Sequence, residues 1–197
     1  MHRHLVLAFV LAAAPALAQD PPSLVTDSPR VLHSATTEVK GPDGAPATYQ
    51  FRTVYDPVTG EYTDTVTDVD TGVVLRREVT KTSITSPSKD EHAWARSFIA
   101  NDPEIAPLIA QAEYPVRVTG GFVLLREEGH VCGPGSRCVQ YDILESLPDR
   151  KTANRIRYVV VDLRTGDFVS RDFDPDLDGN LANPIMRQQS RFRDASE

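Results

Sequence analysis

Tyr49-Gln50-Phe51-Arg52-Thr53-Val54-Tyr55-Asp56-Pro57-Val58-Thr59-Gly60-Glu61-Tyr62 is the stretch on which the reading of this chain turns. Tyr49, Phe51, Thr53 and Tyr55 alternate with Gln50 and Arg52, the period of two that marks a half-buried strand. Asp56-Pro57-Val58-Thr59-Gly60 then has the chemistry of a hairpin loop built on a type I turn. The Asp carboxylate can accept from backbone N–H groups two and three residues on, and the Gly supplies the positive φ that returns the chain to its partner strand. The same Asp-x-x-Thr-Gly recurs as Asp68-Val69-Asp70-Thr71-Gly72 and as Asp162-Leu163-Arg164-Thr165-Gly166. Three copies predict three antiparallel hairpins, and turn chemistry accounts for their aspartates without a metal.

Working outward, strands are expected over residues 62–67 and 73–80, where Val73, Leu75 and Val79 share a face interrupted by Arg77. Residues 19–45 are rich in Pro, Ser, Thr, Asp and Gly and read as an extended N-terminal segment, with a strand near residues 30–37. After Pro87, Ser88 and Glu91 form a Ser-x-x-Glu capping box. Trp94 and Phe98 fall on one face of the helix that follows, and His92 lies off that stripe as a solvated position. The helix breaks at Asn101-Asp102-Pro103, where Asp102 caps a second segment whose apolar stripe runs through Ile105, Leu108, Ile109 and Ala112. Strands follow over residues 116–127 (with a bulge at Gly120-Gly121), 138–145, 155–162 and 167–173. The expected class is α+β: one antiparallel meander of about seven strands with Asp-x-x-Thr-Gly hairpins, packed by one broken helix. The expected divisions are residues 1–18, 19–45, a domain over 46–175 with lobes at 46–83 and 88–175, and a polar tail at 176–197.

Residues 1–18 have the parts of a secretory signal: Arg3, an apolar run over 5–14, and Ala16-Leu17-Ala18 before the cut. That run is about half the length needed to cross a bilayer. The expected destination is secreted or periplasmic, with cleavage after Ala18 and no membrane anchor. Removing eighteen of the 197 residues leaves 179. With Arg3 gone, twenty basic residues face twenty-eight acidic ones, a net charge of −8. Such a balance argues against nucleic acid or anionic lipid as a partner, since both need a basic surface.

Export places Cys132 and Cys138 in an oxidising compartment, where they are expected to form a disulfide closing the tip Gly133-Pro134-Gly135-Ser136-Arg137. A loop this short restricts little unfolded-chain entropy, so the bond is expected to pin a tip more than to stabilise a fold. A metal or redox site using His130 beside Cys132 is the rival reading, with only one His at hand.

One acidic segment draws attention as a ligand. In Asp174-Pro175-Asp176-Leu177-Asp178-Gly179-Asn180, oxygen side chains at Asp174, Asp176, Asp178 and Asn180 precede or flank a Gly, as in the first half of a calcium loop. Ile185 stands where the bidentate Glu belongs and Pro184 precedes it. The alternative is an acidic exit from the last strand. Hydrolase chemistry finds less support. Gly135-Ser136 lacks the setting of a nucleophile elbow, His33, His92 and His130 are far apart in sequence, and Glu127-Glu128 are strand neighbours facing opposite ways.

The helix with Ala93-Trp94-Ala95, the strand Gly121-Phe122-Val123-Leu124-Leu125 and the hairpin Arg157-Tyr158-Val159-Val160-Val161-Asp162-Leu163-Arg164-Thr165-Gly166 resemble the small non-catalytic N-terminal domains of copper amine oxidases. Those domains, like PepSY-type and cystatin-like modules, lay a helix across an antiparallel sheet. The resemblance spans residues 88–175. This chain lacks the family's Asn-Tyr cofactor-forming sequence, and its one His-x-His, His2 and His4, leaves with the leader. What the resemblance implies is an accessory domain without redox catalysis. The expected function is therefore a non-catalytic binding or accessory module whose partner is another exported protein. A calcium-binding structural protein is the first alternative and an unrecognised hydrolase the second.

Overall fold

The computed structural model describes residues 27–41, 44–148 and 152–173. Each Asp-x-x-Thr-Gly segment is the turn its chemistry dictates. Gly60, Gly72 and Gly166 take φ values of 71°, 70° and 79°. Their N–H groups donate to the carbonyls of Asp56, Asp68 and Asp162, each at 2.8 Å. The carboxylates close the turns: Asp56 accepts from the N–H of Val58 and Thr59, Asp68 from Thr71, and Asp162 from Arg164.

The first two of these turns connect strand β2 (Pro46–Asp56) to β3 (Glu61–Asp68) and β3 to β4 (Val74–Thr80), which with β1 (Arg30–Lys40) form one antiparallel sheet in the order β1-β2-β3-β4. Two helices follow, α1 (Lys89–Ala100) and α2 (Ala106–Ala110). A second antiparallel sheet, β5-β6-β7-β8, is built from Val116–Val123, Cys138–Ser146, Ala153–Asp162 and Asp167–Ser170. The expected single sheet of about seven strands packed by one helix is therefore incorrect. The protein is mostly β, with eight strands in two four-stranded sheets and two short helices. The correction has two physical sources. β1 is an edge strand with almost nothing buried, so it carries no alternating apolar row. And β4 and β5 do not pair, because the helical segment between them lies over the second sheet alone.

The second sheet has a core. α1 begins at Ser88 with both halves of the capping box formed. It lays Trp94, Ala95 and Ile99 against Val139, Tyr141, Ile143, Val159 and Val161, the same-face residues of β6 and β7. Burying each large side chain of this kind contributes about 1.5–3 kcal/mol. Asp102 accepts from the N–H of Glu104 and Ile105 in the turn ahead of α2 but is not that helix's cap, which is Ile105 without a side-chain hydrogen bond. Gly120 and Gly121 form the expected bulge, with the register shifting between Gly120 and Phe122. Gly121 is required by its neighbour as well as by its φ of 104°: a Cβ there would collide with the His92 ring. His92 is accordingly not a solvated position but a packed one, with Nδ1 3.3 Å from the Tyr141 hydroxyl.

The first sheet is a single layer. Only Leu32, Thr53, Tyr55 and Tyr62 are buried, all at the end nearest the second sheet. The alternation that begins at Tyr49 is thus buried only at Thr53 and Tyr55; Tyr49 is half-buried and Phe51 is 37% exposed.

Candidate functional site

Three features of the surface and interior are candidates for function.

The junction is built around the disulfide tip. Cys132 and Cys138 are bonded, with Cα atoms 5.4 Å apart. The tip they close offers its backbone to the first sheet. The Tyr55 hydroxyl donates to the Gly135 carbonyl and the Tyr62 hydroxyl to the Ser136 carbonyl, each at 3.1 Å. The Gly135 N–H donates to the Lys81 carbonyl at 2.7 Å. Arg164, from the third turn, donates to the carbonyls of Pro57 and Val58 in the first turn. Arg137, the last residue of the tip, is fully buried and donates from Nε and Nη2 to Glu91 at 3.2 and 2.9 Å. It also reaches the Thr85 and Ser86 carbonyls in the linker. Glu91 meets a second cation, Arg30 Nη1, at 3.4 Å. Burial, the largest single influence, would lower the pKa of Arg137, but the hydrogen bonds and charge of Glu91 together with Tyr62 outweigh it and the net direction is up. Arg30 goes the other way, its pKa lowered mainly by burial. Its Nε and Nη1 have no hydrogen-bond partner among the described residues, because Glu91 is committed to Arg137.

The edge of the first sheet is the second feature. Of twelve exposed large apolar residues among those described, nine lie on the first sheet and its turns (Val31, Val39, Phe51, Val58, Val69, Val73, Val74, Leu75 and Val79). Four of these are at β4 or immediately before it, with Val74 and Leu75 more than half exposed. β4 is an edge strand, so one of its two rows of backbone groups has no strand to pair with among the described residues.

The third feature is a cavity of ≈ 180 Å³ on the face of the second sheet turned away from α1. Val160 lines it, pointing opposite to Val159 and Val161, which face the helix. The chain after β5 crosses beneath it, held by Leu124 N–H to the Cys138 carbonyl and Arg126 N–H to the Cys132 carbonyl.

The expected site residues are distributed as follows. Asp174, Asp176, Asp178 and Asn180, the candidate calcium ligands, lie outside the described residues. Among the described residues no group of three His, Cys, Asp or Glu side chains could hold a metal ion. His130 is beside Cys132 as expected, but its Nδ1 accepts the Cys132 N–H at 2.9 Å and the cysteine sulfur is in the disulfide. Ser136 is in the junction, its carbonyl taken by Tyr62. The sequence reading missed Glu91, Arg137 and Arg30 as one cluster. Its only signal was an Arg inside a Cys-closed tip, and the capping box had already accounted for Glu91.

No family model matches the chain, and no curated protein matches it. Among solved structures the chain is similar to a copper-containing benzylamine oxidase from Hansenula polymorpha, at 13% identity and a TM-score of 0.44. The likeness covers 66% of this chain and 21% of that one. The neighbour thus belongs to the copper amine oxidases, whose small domains the sequence resembles, and this chain spans about a fifth of its length. A likeness at this score carries no functional argument. No helix of the described residues is long and apolar enough to cross a membrane.

Proposed function

We propose that this protein is a non-catalytic binding module of the exported compartment, whose first sheet receives an extended segment of another exported protein along β4. One observation carries the reading: a single-layer sheet ends in an edge strand whose residues are exposed from Val74 to Val79. Soluble proteins ordinarily cover, charge or shorten such an edge. Here Arg76, Arg77 and Glu78 put charge on it, but Val74, Leu75 and Val79 flank them. That pattern suits a partner strand that takes its affinity from main-chain hydrogen bonds and its specificity from alternate side chains. The disulfide and the leader agree with an oxidising destination.

The test is site-specific photo-cross-linking in the native extracellular fraction. A cross-linker at Arg77 is expected to capture one discrete protein, and one at Glu127 on the second lobe is not. Leu75→Asp is expected to reduce that capture about tenfold while leaving the melting temperature unchanged, as is usual for an exposed position. Equal capture from both positions, or none from Arg77, rules the reading out.

A further inference from the structure

The cavity on the far face of the second sheet lies where, among the described residues, only the loop after β5 and the disulfide cover that face. α1 covers the side of Val159 and Val161, while the opposite side has only a small cluster around Leu124, Val160, Phe173 and the disulfide. β8 is four residues long and adds Val169 at the cavity wall. The resulting space, ≈ 180 Å³, is close to the roughly 150 Å³ cavity that takes up a benzene ring in an engineered core.

Its rim is polar and of one character. His130 Nδ1 accepts the Cys132 N–H, so the neutral ring carries its proton on Nε2, a donor. The Ser170 hydroxyl accepts the Asp172 N–H and keeps its own hydrogen to give. Arg126 lines the cavity, and its guanidinium has no carboxylate partner among the described residues. Among the described residues no acidic side chain lines the space, in a chain whose net charge is −7. No hydrogen bond joins Ser170 to His130 among the described residues, so the pair is not an activated nucleophile. What the lining offers is an apolar floor together with three residues that carry donors.

From these features we infer that the cavity binds a small organic monocarboxylate with a compact apolar body, of the size of benzoate or a short branched acyl group. The body fills the space over Leu124, Val160 and Phe173. The carboxylate takes the Arg126 fork, a geometry that favours carboxylate over a neutral hydroxyl, with His130 and Ser170 as supporting donors. This site is on a different sheet from β4, and its occupancy does not depend on the proposed partner.

Benzoate titrated into the full mature chain, followed by amide NMR shifts, tests the assignment. Saturable shifts are expected at Leu124, Val160, Val169 and Phe173, with Kd on the order of 1 mM. Benzyl alcohol, of the same body without the charge, is expected to bind about tenfold more weakly, and Arg126→Gln to weaken benzoate by about the same factor. Val169→Phe, which fills the space, is expected to abolish the shifts in a protein that still melts cooperatively. Absence of saturation by about 10 mM benzoate, equal binding of benzyl alcohol, or an unaltered Kd in Arg126→Gln overturns the inference.

Discussion

The two sheets have the same strand number, the same antiparallel order and the same turn device, yet they are held in place by different physics. The second is a two-layer unit: α1 removes one of its faces from water, and its central strands β6 and β7 bury Val139, Tyr141, Ile143, Val159 and Val161. The first has no layer of its own. Its buried side chains are confined to the end where it meets the disulfide tip, and the rest of the sheet is half-buried at most. A two-layer sheet draws on apolar burial of about 25 cal/mol per Å². A single layer draws on its ladder hydrogen bonds, each of small net worth, and on whatever anchors it at one end. The lesson is that the junction, rather than a core, decides whether the first sheet folds.

The largest effect is expected from the pair that serves both sheets. Glu91→Ala strips Arg137 and Arg30 of their carboxylate while leaving both cations buried, and opens the capping box of α1. A loss of about 3–5 kcal/mol is expected in denaturant unfolding, and it should destabilise both sheets together. Loss confined to one sheet would show that the cluster does not join them.

A smaller change should separate the sheets. Tyr62→Phe removes one hydroxyl from the tip while keeping the ring beside Tyr55. It is expected to cost about 1 kcal/mol and to speed hydrogen exchange of β2 and β3 amides, leaving those of β6 and β7 unchanged. Equal acceleration in both sheets would mean that they open as one unit.

The smallest is pH-dependent and belongs to the second sheet. Burial would raise the pKa of Asp102, but the Arg171 guanidinium and the N–H groups of Glu104 and Ile105 outweigh it, so the folded value lies below the ordinary one. A depressed folded pKa means that the contribution is present above the ordinary carboxylate range and is lost as pH falls through the lowered value. Asp102→Asn keeps an accepting oxygen and removes the charge. Its melting temperature is expected to lie a few degrees below wild type near pH 7, with the gap closing in acid. A constant gap across pH would place the effect in packing rather than charge.

What could be read ahead of the structure was local chemistry. The three turns, the Gly120-Gly121 bulge and the capping box each depend on residues within a few positions of one another, and each formed as expected. The partition into two sheets depends on which edge β5 joins, a non-local choice that no spacing encodes. β1, expected as a strand near residues 30–37, has an edge strand's weak pattern, so its place beside β2 was not legible. The cavity donors Arg126, His130 and Ser170 come from opposite ends of the sheet's path, so only pairing brings them together. The tip was legible as a disulfide but not as an anchor, because its partners Tyr55 and Tyr62 are 80 and 74 residues away from the backbone groups they hold.

The repeated turn motif has one more consequence. Gly60 and Gly72 occupy the same place in two copies, with nearly the same φ. A Cβ on Gly72 would meet nothing within 4 Å, whereas on Gly60 it would come within 2.6 Å of the Gly135 carbonyl oxygen. One copy is a free loop tip and the other is wedged against its neighbour, though their sequences differ only at the permissive positions. The free copy is where this chain can accept inserted sequence, a fused tag or new termini by circular permutation. Divergence in length should gather there, and the wedged copy should stay as it is.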